Sequence, residues 1–144
     1  MNDEILSGLP HEPSVDMASV HVLSLAYMGD TIHDLFIREY LVRHHNASVH
    51  MLHTQAIRFV RCHEQSETVL AILDRLTEEE QAVFRRGRNA HNGTVPRNAD
   101  VREYHNATGF EAVLGYLYLS GQGERLAQVL GYCMEYYRAK GEIL

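Results

Sequence analysis

The chain has 144 residues, 45% hydrophobic and 22% charged, with 13 Lys and Arg against 19 Asp and Glu for a formal net charge of -6. That is room for one domain around one core, too apolar for a disordered chain and too acidic for a general polyanion binder, so any nucleic-acid contact has to come from a local basic cluster. Two cysteines, Cys62 and Cys133, exclude a disulfide framework, and no apolar run or leader suits a membrane span or secretion, which points to a soluble cytoplasmic protein with no membrane partner.

Residues 1–16 carry two of the three prolines and read as an arm ahead of a domain over 17–144. From Met17 the spacing is helical: Val22, Leu25, Tyr27, Met28, Ile32, Leu35, Phe36 and Tyr40 recur three and four residues apart. Asn46-Ala47-Ser48 offers a stop and a new N-cap, and a second periodic run from His50 to Leu73 is broken near His63. The run Thr77-Glu78-Glu79-Glu80 matches a capping box, in which the threonine hydroxyl and the glutamate three residues on satisfy each other's backbone N–H groups. The helix it opens continues through Val83 and Phe84 to Arg88. Asn92-Gly93 and Pro96 then mark a loop. Helical pattern resumes over Val101–Leu119, breaks at Gly121 and Gly123, and closes with a helix from Glu124 to Ala139. No strand-like alternation survives, so the fold class is all-α.

Two acids stand out in apolar helices. The thirteen residues from Ala107 to Leu119 carry one charge, Glu111, in a helix apolar on nearly all faces. A carboxylate there has to be paired, protonated or bound to a metal, because burying it alone costs several kcal/mol. Asp30 follows Gly29, which permits close approach of another backbone, and Asp34 lies one turn further on the same face. Either these acids pair with arginines, or Asp30 and Glu111 converge on a hard cation such as Mg²⁺, which favours oxygen ligands; spacing leaves both open. The ten histidines match no zinc spacing and read as a dispersed surface set. His33-Asp34 is a bare His-Asp pair of the kind helical metal-dependent phosphohydrolases use. The tyrosines and both cysteines read as core residues.

Between Phe84 and Tyr104 lie Arg85, Arg86, Arg88, Arg97 and Arg102, against only Asp100 and Glu103. A helix C-terminal dipole accounts for three of these arginines at most. With Asn89, Asn92, Thr94 and Asn98 interleaved, the segment reads as a loop that follows phosphates, with the amide and hydroxyl side chains able to reach groove edges.

Three stretches together resemble the ribonuclease III family: AYMGDTI at 26–32 its first signature, GFEAVLGYLYL at 109–119 its second, and RRGRNAHNGTVPRNAD at 85–100 the corresponding segment of the Mini-III branch, which has the catalytic domain and no double-stranded-RNA-binding domain. The wider family has acids four residues before the aspartate and three before the glutamate; here those positions are Ala26 and Thr108, leaving Asp30 and Glu111 as in the Mini-III branch. The resemblance implies a single dimeric endonuclease domain in which Asp30 and Glu111 bind Mg²⁺, with Mn²⁺ able to substitute, and hydrolyse double-stranded RNA. It implies RNA contacts from Arg85, Arg86, Arg88, Asn89, Asn92, Thr94, Arg97 and Asn98. It further implies a role in trimming the ends of 23S ribosomal RNA precursor, with a ribosomal protein assisting. A homodimer would use one self-complementary patch, expected around Tyr27, Ile32 and Phe36. The rival readings are a non-catalytic RNA-binding or ribosome-assembly module on the same fold, and a nucleotide phosphohydrolase using His33 and Asp34.

Overall fold

The computed structural model describes residues 15–90 and 95–141, and among these it holds six α-helices and no strand. They are α1 (Val22–His44), α2 (Val49–Val60), α3 (Cys62–Ile72), α4 (Glu78–Asn89), α5 (Val101–Leu119) and α6 (Gly123–Ala139), with short 3-10 turns at Met17–Ser19 and Leu73–Arg75. The expected arm lies outside the described residues up to position 14. Helix does not run on from Met17: the 3-10 turn is capped by Asp16, and α1 starts after His21, whose Nδ1 accepts from the backbone N–H of Leu23 at 3.1 Å.

The local signals act where they stand in the chain. Ser48 caps α2 by accepting from Met51 N–H at 3.2 Å. The break expected near His63 falls at Arg61, whose extended backbone separates α2 from α3. Thr77 and Glu80 form the reciprocal capping box of α4 at 3.1 and 2.9 Å. Asp100 caps α5 by accepting from Glu103 N–H at 3.0 Å.

Helix α5 is the hub, packed on α1, α4 and α3. Phe110, Val113, Leu114 and Leu117 are buried along it, each contributing about 1.5–3 kcal/mol, enough together to host one carboxylate in the same helix. The antiparallel crossing of α1 and α5 is glycine-mediated at two points. A Cβ on Gly29 would stand 1.7 Å from the carbonyl oxygen of Glu111, and a Cβ on Gly115 would stand 1.9 Å from that of Leu25. The backbones therefore touch where most helix pairs are held apart by side chains.

The start of α4 is tied to α6 by a buried ion pair. Arg125 donates from Nε to Glu80 Oε2 at 2.8 Å and from Nη2 to Oε1 at 2.9 Å. Burial alone would raise the Glu80 carboxyl, but the Arg125 and Thr77 bonds outweigh it and hold it below the usual range. The expected self-association patch is corrected here: Ile32 and Phe36 lie in the chain's own core, while Tyr27 stands 80% exposed. Periodicity marks an apolar face without saying which neighbour covers it. Among the described residues, no helix is long and apolar enough to cross a membrane.

Candidate active site

The glycine contact sets the site. With Gly29 against the backbone of Glu111, the next residue on α1, Asp30, comes beside the Glu111 side chain across the crossing. Both line a cavity of about 410 Å³ walled by α1, α3 and α5. Burial, then the Asp30 carboxyl beside it, push the Glu111 carboxyl up to about 9, while the Gln65 amide pulls the other way. At neutral pH without a cation Glu111 thus keeps its proton. Among the described residues no Lys or Arg forms an ion pair with either acid; the pairs on these helices run elsewhere, as in Asp34 with Arg38 at 3.1 Å. The ion-pair reading of Asp30 and Glu111 is therefore not met, and a donor set of two carboxyl groups in one cavity fits a hard divalent cation.

Ala26 and Thr108 line the same cavity, so the two positions where the wider family carries acids stand beside Asp30 and Glu111 and leave two carboxyl groups in its wall. Asp34 does not line it. His33 points into the core, fully buried and bonded to Gln65 and Tyr137, while Asp34 is turned to Arg38. The His-Asp phosphohydrolase reading therefore has no shared site. Cys62, expected in the core, is half-buried in the wall of the acid cavity, whereas Cys133 is a core residue as expected.

Sequence reasoning missed Gln65. Helix α3 buries Glu64, Gln65, Ser66 and Thr68, and polar residues in a helix read as solvent-facing until a partner helix covers them. Ser66 shows how they are satisfied: its Oγ accepts from Asn106 Nδ2 of α5 at 3.0 Å.

Of the expected RNA-contacting residues, Arg85, Arg86, Asn89, Arg97 and Asn98 are exposed. Arg88 is half-buried, with its guanidinium 5.5 Å from the Phe84 ring centre. Asn92 and Thr94 lie outside the described residues. Arg88 and Asn89 open onto a second cavity with Arg102 and His105, two residues not expected at the interface. Residues 102, 105 and 106 of α5 line this basic cavity and residues 104, 107, 108 and 111 the acid one, so the two share one helix on neighbouring stripes.

A further group of potential metal ligands, His63, Glu64 and Glu67, lies on α3. Lys140 Nζ already supplies a cation there, 2.9 Å from Glu67 and 3.4 Å from Glu64, and His63 bonds Glu103 of α5. It is a clasp between α3, α5 and the end of α6.

The Ribonuclease III domain model matches residues 23–122. The chain is 45% identical over 112 residues to the Mini-ribonuclease 3 of Thermoanaerobacter sp., covering 78% of this chain and 79% of that one. It is 47% identical over 108 residues to the Mini-ribonuclease 3 of Symbiobacterium thermophilum, covering 75% and 83%. A crystal structure of a protein from Fusobacterium nucleatum superposes with a TM-score of 0.75 at 29% identity, covering 90% of this chain and all of that one. With its signature acids brought together at a glycine-mediated helix crossing, the chain belongs to the ribonuclease III family, in the Mini-ribonuclease 3 branch.

Proposed function

We propose that this endoribonuclease hydrolyses double-stranded RNA with Mg²⁺ held by Asp30 and Glu111, as a cytoplasmic homodimer whose catalytic domain spans residues 17–144. The observation that carries the reading is that Asp30 and Glu111 line one open cavity with no Lys or Arg in its wall among the described residues. The ribonuclease III family generally uses a divalent metal, and Mn²⁺ would substitute for Mg²⁺ on the same oxygens. A bound Mg²⁺ would supply an activated water and offset charge on the scissile phosphate.

Asp30 and Glu111 present their oxygens from two helices whose spacing the Gly29 contact holds, and Glu111 gives up its proton when the site is loaded. Arg85, Arg86, Arg88 and Arg97 bind backbone phosphates, with Asn89, Asn92, Thr94 and Asn98 at groove edges. A-form RNA displays shape and 2′-hydroxyls more than base edges, so this recognition depends mainly on backbone geometry. Two copies related by a two-fold axis place one site on each strand and give staggered cuts. The substrate this reading assigns is 23S ribosomal RNA precursor at its ends, with a ribosomal protein assisting.

The test is a duplex RNA on a sizing gel, with and without Mg²⁺. Asp30→Asn and Glu111→Gln should each abolish cutting while folding and RNA binding persist. Mg²⁺-dependent cutting by clean Asp30→Asn protein would sink the assignment. A wild type that binds the duplex and never cuts it would favour a non-catalytic RNA-binding module.

A further inference from the structure

A line of buried polar groups runs from Glu111 into the core, and the function above uses only its first member. Gln65 lines the same cavity as Glu111 and places its Nε2 3.1 Å from His33 Nδ1. His33 Nε2 lies 3.1 Å from Tyr137 Oη. Thr68 Oγ1 lies 2.6 Å from the carbonyl oxygen of Glu64. His33, Thr68 and Tyr137 have no exposed surface, and Gln65 is 2% exposed.

The amide fixes the direction of these bonds. Burial holds His33 down to about 3, so its ring is neutral and carries one proton. Gln65 Nε2 only donates, so His33 Nδ1 accepts and the ring proton sits on Nε2, which donates to Tyr137 Oη. The second N–H of the Gln65 amide is left for the cavity that Glu111 lines.

We propose that Gln65 is the positioning residue of Glu111: the relay of Tyr137 and His33 anchors its amide so that the second N–H is turned to the cavity, where it orients the Glu111 carboxyl group as a metal ligand. This rests on Glu111 being a metal-binding carboxylate. Supports of this kind, one bond behind a metal ligand, change metal affinity more than they change substrate binding.

The test is Gln65→Met, which keeps length and loses the donor. Mn²⁺ binding to the folded protein, read by electron paramagnetic resonance, should weaken by about 10- to 100-fold. The Mg²⁺ concentration for half-maximal duplex cleavage should rise in step, with KM for RNA at saturating Mg²⁺ unchanged. Tyr137→Phe touches neither acid and should weaken Mn²⁺ binding in the same direction by a smaller factor; should Gln65→Met not fold, it carries the test alone. Glu111→Gln is titrated alongside. If it binds Mn²⁺ as the wild type does, the carboxylate reading falls and the relay with it. If Glu111→Gln loses Mn²⁺ while Gln65→Met and Tyr137→Phe stay within twofold of wild type, the relay alone is overturned.

Discussion

Without a divalent ion, Glu111 keeps its proton at neutral pH, because burial and Asp30 push its carboxyl up to about 9. In the unfolded chain it titrates in the ordinary glutamate range, so between about pH 5 and pH 9 the folded state binds more protons than the unfolded one. Stability then decreases as pH rises through that window. The melting temperature of the protein in EDTA should accordingly fall from neutral pH towards pH 9, and Glu111→Gln, which has no proton to lose, should show a shallower fall and a higher value at the alkaline end. Saturating Mg²⁺ should reverse the trend, because its binding requires the deprotonated carboxylate and tightens with pH. Identical pH profiles for wild type and Glu111→Gln in EDTA would show that the group is not buried against Asp30.

At the scale of elements, the α1–α5 crossing sets both the fold and the site. Gly29→Ala should gain up to about 1 kcal/mol from helix propensity. Against that, its new Cβ would fall 1.7 Å from Glu111 O, deep inside contact distance and against backbone that cannot swing aside. Overpacking of a tight core costs about 1–3 kcal/mol or more, so the steric cost wins and the variant should be destabilised in urea denaturation. Cleavage should fall further than the lost stability accounts for, since separating the helices also separates Asp30 from Glu111. A Gly29→Ala protein as stable as the wild type would mean the helices do not meet there.

For the whole molecule, a net charge of -6 means that the proposed RNA contact falls to the basic segment between Phe84 and Tyr104. Replacing Arg85, Arg86, Arg88 and Arg97 should weaken duplex binding alike for all sequences and flatten its salt dependence by roughly 0.9 in log-log slope per lost phosphate contact. Turnover at saturating RNA should change much less, because these side chains lie apart from the acid cavity. Unchanged affinity and slope in an Arg88→Ala, Arg97→Ala double variant would assign the segment to helix capping. Light scattering at micromolar concentration should give twice the mass of one chain; a monomer mass would remove the paired sites that staggered cutting needs.

Most helix ends were legible because their causes are local, although the start of α1 at Val22 was not. Ser48, Thr77 and Asp100 cap where they stand, and the expected Val101–Leu119 helix has those same bounds. The two acids were legible as well, since a lone charge in an apolar helix is anomalous whatever surrounds it. Tertiary structure decided what those features face. Spacing marked Tyr27, Ile32 and Phe36 as one apolar set, but only the α1–α5 contact buries Ile32 and Phe36 and leaves Tyr27 outside. His33 next to Asp34 looked like a metal pair until the core claimed one and Arg38 the other. Gln65 carries no signal in a single sequence. Its buried contacts exist because α1, α3 and α6 bring His33, Gln65 and Tyr137 together, and periodicity along one helix holds no record of which polar groups another helix will cover.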